Sequence, residues 1–259
     1  MDENFTNQSE NPESEEIQEE LSTTEAMTGI FTEPGNTFDV IKGVSKNYWL
    51  LPMIITIILG LVSSFLFFSD KELTEKVIEK QLKKVKEKME ENVKNGKMKP
   101  EDSANAIEKT EKFMHGIFFK IIGYAGGVIG NIILLFLLSL IYLIFLKLMK
   151  SQFSYQSLLN VIGLSMLISG IGGLINIVIS IFIGDLSTLS PGLLLNESSV
   201  GDMLHGFLSK IDLFAIWFYV LISIGLTKIG KIKPAVSYAV VFGIWILFHV
   251  VSVFVFQSY

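Results

Sequence analysis

Three strongly polar side chains of this chain, Asn131, Asn176 and His249, fall inside long apolar stretches. Ionisable groups at membrane depth usually mark transport or a proton relay, and His249 is the titratable group that fits this pattern. If the three side chains lined one cavity, they would support a small transporter or channel component. A single histidine with asparagine neighbours is more typical of hydrogen bonds between packed helices, and we favour that interpretation.

No arrangement of residues in the sequence is typical of catalysis or metal binding. His115 and His205 lack the nearby ligands that a zinc site needs, and the chain has no cysteine. The glycine-rich run 123–130 is not G-x-G-x-x-G and follows no strand, so it does not predict a phosphate-binding loop. We therefore expect no enzyme activity, no catalytic residue, no cofactor and no metal.

The composition indicates the surroundings in which these residues lie. Of the 259 residues, 50% are hydrophobic and 18% are charged, and all 21 basic residues are lysines. This apolar fraction is unusual for a soluble domain, and the lack of arginine removes the bidentate clamps that nucleic-acid binders favour. We expect contact with a lipid bilayer and no nucleic-acid partner.

Five stretches carry no Lys, Asp or Glu and are near the roughly 17–25 residues that a helix needs to cross a bilayer. They lie at about residues 51–68, 121–146, 158–183, 213–227 and 234–256. The sequence thus predicts an all-α integral membrane protein, with a five-helix membrane domain over residues 51–259.

Two different segments precede the first span. Residues 1–33 contain ten acidic residues and no lysine, and their few apolar residues show no period, so we predict a disordered acidic tail. The tail lacks the basic start and apolar core of a signal peptide, so the first span is expected to act as an uncleaved anchor. Residues 34–50 predict an amphipathic juxtamembrane helix, with a plain linker as the alternative.

Residues 69–120 form a charged insert with 13 lysines and 11 acidic residues. Ser69 and Glu72 have the spacing of a capping box, and Asn95-Gly96 followed by Pro100 predicts a break between two helices. The apolar residues of the first helix follow near-heptad, coiled-coil-like spacing: Leu73, Val77, Ile78, Leu82, Val85, Met89 and Val93. Those of the second are Ala104, Ile107 and Met114.

The insert therefore predicts a helical hairpin outside the bilayer, with a solvated, partly helical loop as the alternative. The second helix offers less apolar area than the first, so part of the stripe needs another cover. We expect that cover to be a second copy of the chain or another protein, because the interspersed acids weaken attraction to a lipid surface.

The lysines also predict an orientation. With a cytoplasmic amino terminus, seven lysines of the short loops and flanks face inside, whereas the loop 185–212 holds one lysine and four acids. This satisfies the positive-inside rule, although the insert places its lysines outside. We expect the amino terminus in the cytoplasm and the carboxyl terminus outside, in the bacterial cytoplasmic membrane.

Small residues at four-residue spacing predict close helix packing, because they let helix backbones approach in lipid. The candidate packing residues are Gly60, Gly123, Gly126, Gly127, Gly130, Ser169 and Gly173. Small residues spaced in this way favour either homodimerisation or packing within one helix bundle, and we favour packing within one bundle.

Two separated stretches together resemble a known family. Glu33-Pro34 lies in the run 30–38. It is followed by the stretch 48–52, which contains Tyr48 and Trp49 and leads into the first span. The second stretch contains Asp212, Phe214, Trp217, Gly225 and Lys228. This pattern resembles bacterial members of the Yip (Ypt-interacting protein) domain family over about residues 30–256. The resemblance implies a non-enzymatic five-span membrane protein with a cytoplasmic amino terminus and a role in membrane organisation or protein interaction.

The sequence thus favours a membrane scaffold or protein-interaction module of the Yip type. The alternative is the small transporter or channel component that Asn131, Asn176 and His249 would line.

Overall fold

The computed structural model describes residues 20–257, apart from residues 152, 196–200, 202, 203, 206, 207 and 210, with side-chain surroundings as far as Ser252. The described chain forms nine α-helices: α1 (Thr23–Thr32), α2 (Pro34–Ile41), α3 (Leu50–Ser69), α4 (Lys71–Lys94), α5 (Pro100–Met114), α6 (Ile117–Leu148), α7 (Tyr155–Ile183), α8 (Leu213–Gly230) and α9 (Pro234–Gln257). A short 3-10 turn covers Pro191–Leu194. Among these residues, α3, α6, α7, α8 and α9 are long and apolar enough to cross a membrane. The predicted all-α, five-span fold is confirmed.

Helix α7 is the centre of the bundle, because it packs against α3, α6 and α8, and α9 is added through α8. The first half of α7 is enclosed on every side, and residues 157–168 are all buried. Such a helix is apolar all round rather than amphipathic, as expected for a helix surrounded by others.

The amino-terminal segment differs from its prediction. Thr23–Thr32 is a helix and not part of a disordered tail, so that prediction is wrong for these residues; residues 1–19 lie outside the described part. Ser22 and Glu25 form a reciprocal capping box that satisfies free backbone groups at the helix start. Ala26 and Ile30, one helical turn apart, are fully buried in the same hydrophobic cluster as α7. Burial of this small apolar face in tertiary contacts stabilises the helix, although the sequence shows no periodic apolar pattern there.

The predicted juxtamembrane helix is shorter than expected, since α2 ends at Ile41 and the chain then turns at Gly43, whose φ is +77°. Instead of lying free at the headgroups, α2 packs on α8. Helices α1 and α2 form an amino-terminal hairpin that closes tightly, because a Cβ on Gly29 would lie 2.2 Å from Thr37 Oγ1.

Helices α4 and α5 form the predicted insert hairpin, which is confirmed, with Gly96 at φ +69° in its turn. The helix cap is Asp70 and not Ser69, because α3 continues through Ser69 and the Asp70 side chain accepts from Leu73 N. The apolar stripe of α4 is buried at Leu73, Val77, Ile78 and Leu82. Its continuation at Val85, Met89 and Val93 is half-buried. Ala104, expected to cover the stripe, is exposed, whereas Ser103 is buried.

Candidate functional site

The end of the bundle nearest the insert hairpin contains a buried polar network. Asp212 caps α8 by accepting from Ala215 N at 2.9 Å through Oδ1, and its Oδ2 accepts from Asn176 Nδ2 at 3.0 Å. Asn176 Oδ1 accepts from Leu189 N at 3.0 Å. The side chain of Asn176 therefore joins α7, the loop that follows it and the start of α8. Asp212 is only 9% exposed, and these hydrogen bonds satisfy its buried carboxylate.

The other residues of the second sequence motif attach α8 to its neighbours. Phe214 lies against Gly172 of α7, where a Cβ would come 2.4 Å from the Phe214 Cβ. Gly225 faces Val161 equally closely, since a Cβ there would lie 2.2 Å from Val161 Cγ1. At both pairs the glycine lets the backbones of α7 and α8 approach closely, as small residues do in membrane helix bundles.

Trp217 makes an edge-to-face contact with Phe31 of α1, with ring centroids 5.8 Å apart. The motif helix therefore also contacts the amino-terminal hairpin, and the aromatic pair adds a directional contact between them.

The two sequence motifs also meet near the opposite end of α8, where Gly35 lies beside Lys228. Lys228 forms an ion pair with Asp39 of α2, and Asp39 also accepts from Lys42 at 2.6 Å. The hydrogen bond from Lys228, followed by that from Lys42, holds the pKa of Asp39 below its usual value. Pro34 occupies the first turn of α2, and the exposed Glu33 accepts from Asn36 at 3.4 Å. This arrangement positions the hairpin and presents no group poised for chemistry.

Sequence reasoning missed a second polar network, at the start of α7. Asn160 Oδ1 accepts from Trp49 N at 3.2 Å, and Asn160 Nδ2 donates to Lys46 O at 3.0 Å. Gln156 donates to Asn47 Oδ1 at 2.5 Å. Together these bonds fix the chain that enters α3. The signal was present in the sequence, because Gln156 and Asn160 are one turn apart on the same helix face.

The three candidate intramembrane polar residues lie in three separate places. Asn131 donates to Gly127 O of its own helix at 2.6 Å and faces Gly60 of α3. His249 contacts Trp245 O of its own helix at 2.9 Å through Nδ1. Asn176 belongs to the Asp212 network. The structure therefore does not bring them together around one cavity.

The candidate packing glycines divide into two groups. Gly60 and Gly127 face each other across α3 and α6, with a Cβ on either lying 3.8 Å from the carbonyl oxygen of the other. Gly123 lies against Phe68 of α3. Gly126, Gly130 and Gly173 have open space where a Cβ would be, and Ser169 is half-buried on α7.

The described residues contain no group of three or more His, Asp or Glu side chains that could hold a metal ion. The arrangement defines a multi-pass helical membrane protein whose distinctive residues connect helices. The chain belongs to the Yip1 domain family, whose model matches residues 28–255. The recognised resemblance is thereby confirmed.

A curated relative is the membrane protein YknW of Bacillus subtilis (strain 168), 31% identical over 141 residues, which are 51% of this chain. The match spans 59% of the length of that relative. No solved structure matches the chain.

Proposed function

We propose that this protein is a non-enzymatic membrane scaffold whose insert hairpin docks a second protein chain, either another copy or a different membrane protein. The observation that carries the proposal is the incomplete cover of the apolar stripe on α4. It is buried as far as Leu82, and beyond that point Val85, Met89 and Val93 are only half-buried. Exposed apolar stripes with charged borders are typical of protein-interaction surfaces.

The base of the hairpin is fixed to the bundle, which gives the uncovered part a defined position. Thr74 donates to Phe67 O at 2.6 Å, and Lys76 donates to Gly184 O at 2.8 Å. Lys80 pairs with Asp185 at 2.5 Å. Burial raises the pKa of Asp185, but the hydrogen bond from Lys80 and the charges of Lys80 and Lys76 outweigh it, so the net shift is downward.

Charge favours a protein over a lipid surface as the docking partner. The insert carries 13 lysines and 11 acids, so it lacks the excess of positive charge that attracts anionic lipid. The membrane orientation that we propose has the amino-terminal hairpin in the cytoplasm and the insert hairpin outside, as the lysines of the short loops favour.

Single-cysteine variants test the docking, because the chain has no cysteine of its own. A photoreactive maleimide on Val85→Cys or Met89→Cys is expected to give a discrete higher-mass adduct in native membranes. The matched control is Glu87→Cys, an exposed position about 160° around α4 from both Val85 and Met89. The mass of the adduct distinguishes a second copy from another protein. Equal yields of the higher-mass adduct at all three positions, or no adduct at any of them, would contradict the proposal.

A further inference from the structure

A cavity of about 900 Å³ lies at the insert end of the bundle. Its walls come from α3, α6, α7, the base of α4 and the loop that follows α7. This volume is at the upper end of the roughly 300–1,000 Å³ typical of sites for small molecules and cofactors. The proposed docking surface on the outer part of α4 does not use it.

One wall of the cavity is apolar and continues to the outer surface of the bundle. It consists of Phe67 and Phe68 from α3 together with Phe119 and Ile122 from α6. Ile122 is 57% exposed on a helix that spans the membrane, so this wall adjoins the surface that contacts acyl chains. A ligand can therefore enter from the bilayer without crossing water.

The opposite wall is polar because the loop after α7 folds back along that helix. Ser187 N donates to Ser180 Oγ at 2.9 Å, and Leu189 N reaches Asn176 one turn further back. The next residue, Ser190, is 8% exposed. Among the described residues its Oγ is one of four buried side-chain polar atoms without a hydrogen-bond partner, and Ser190 is the one residue of those four that lines this cavity. A buried hydroxyl without a partner costs free energy, which a bound ligand would recover.

The depth of the cavity matches one leaflet. The lining residues of α7 lie between Gly173 and Ile183, a stretch of eleven residues that rises by about 15 Å along the helix. This is about half of the roughly 30 Å hydrocarbon core of a bilayer. At the mouth, Lys80 is already paired with Asp185, so the site does not present an uncompensated charge.

The geometry points to a phospholipid-binding site, occupied by a lipid of the leaflet on the insert side. One acyl chain packs on the aromatic wall of α3 and α6, and the polar part of the lipid hydrogen-bonds to the loop wall at Ser190. Because Lys80 and Asp185 neutralise each other, the site accepts zwitterionic and anionic phospholipids alike. A water-soluble ligand would leave the apolar wall, which opens to the bilayer, without a partner.

The test measures lipid retention by the full chain, purified in detergent and delipidated, with native mass spectrometry. The probes are palmitoyl-oleoyl phosphatidylglycerol and palmitoyl-oleoyl phosphatidylethanolamine. Gly173→Leu adds a side chain at the cavity wall, where a Cβ meets nothing within 4 Å. Gly126→Leu is the matched control, since Gly126 also faces open space but does not line the cavity.

We expect the unaltered chain and Gly126→Leu to retain one tightly bound lipid of either type, and Gly173→Leu to bind it about tenfold more weakly or not at all. Equal retention by Gly173→Leu and Gly126→Leu would overturn the proposal. Ser190→Ala removes only a hydroxyl without a hydrogen-bond partner, so we expect it to fold, and it provides an independent readout if Gly173→Leu fails to fold. Loss of one hydrogen bond predicts about fivefold weaker retention by Ser190→Ala, whereas unchanged retention contradicts the assigned role of its hydroxyl.

Discussion

Lys228 of α8 forms an ion pair with Asp39 of α2, although 189 residues separate them along the chain. The stem of Lys228 also lies over Gly35, where a Cβ would be 3.6 Å from Lys228 Cε. The two stretches of sequence by which the family resemblance was recognised are thus in contact. Their shared role in this structure is to hold the amino-terminal hairpin against the bundle.

Loss of this ion pair should weaken the hairpin contact without unfolding the bundle. The Lys228 and Asp39 side chains are 36% and 35% exposed, so we expect Lys228→Gln to cost about 0.2–1 kcal/mol in a thermal or denaturant unfolding assay. A cycle with Asp39→Asn should show that the two effects are not additive. The control is Lys233→Gln, at an exposed position beyond α8. Strict additivity of the two substitutions would show that the pair contributes nothing.

The same contact predicts a pH dependence. The pKa of Asp39 is lower in the folded chain than its ordinary 3.8, so its contribution is present above that value and is lost as the pH falls through the folded pKa. We expect limited proteolysis after α2 to accelerate between about pH 5 and about pH 2, using an acid-active protease. Asp39→Asn should abolish this acceleration, and an identical acid response in that variant would contradict the assignment.

Gly225 is required for the contact between α7 and α8. The added methyl group of Gly225→Ala would lie 2.2 Å from Val161 Cγ1, and Val161 is fully buried, so we expect a loss of about 1–3 kcal/mol in the unfolding free energy. The companion substitution Val161→Ala should restore part of the stability in the double variant. Gly243→Ala is the control, because its Cβ meets nothing within 4 Å. An equal change in unfolding free energy for Gly225→Ala and Gly243→Ala would show that the change comes from helix propensity and not from the contact with Val161.

Asn176→Asp tests the buried network by a change of charge at constant shape. At neutral pH it would place a second carboxylate against the buried Asp212, and the two negative charges would repel. We expect a large loss of thermal stability at pH 7 that is partly recovered at acidic pH. Asn176→Leu, which removes the partner and adds no charge, should show no such recovery. The same pH response in both variants would argue against direct pairing with Asp212.

The proposed orientation predicts opposite labelling of two exposed positions. Glu101→Cys on the insert hairpin should react with a membrane-impermeant maleimide in intact cells. Lys233→Cys, between α8 and α9, should react only after permeabilisation. The reverse pattern would place the insert hairpin in the cytoplasm.

The five spans could be predicted because a charge-free run long enough for a bilayer has few other stable forms. The insert hairpin could also be predicted, since Asn95-Gly96 and Pro100 mark its turn. Helix α1 was missed because it buries only Ala26 and Ile30 of its ten residues. The capping box at Ser22 and Glu25 was a usable local signal that its acidic surroundings obscured.

The tertiary polar contacts were less predictable. Nothing local indicates that Asp212, which ends a loop in the sequence, bonds to Asn176, two turns before the end of α7. That contact depends on the loop after α7 folding back along the helix. Asn160 was also not predictable, because it is one of several asparagines in the spans. Its hydrogen-bond partners Lys46 and Trp49 lie more than 100 residues away along the chain.

Of the five candidate spans, α8 is the least hydrophobic, and the largest share of it is buried inside the bundle. Its first turn is capped by Asp212, which Asn176 of the preceding span already holds. A segment of this kind gains less from partitioning into lipid than the other spans do, and contacts with α2, α7 and α9 contribute more to its stability. The order of synthesis therefore matters for biogenesis. Helix α8 leaves the ribosome after α2 and α7, and we expect its integration into the bilayer to depend on these helices being already in place.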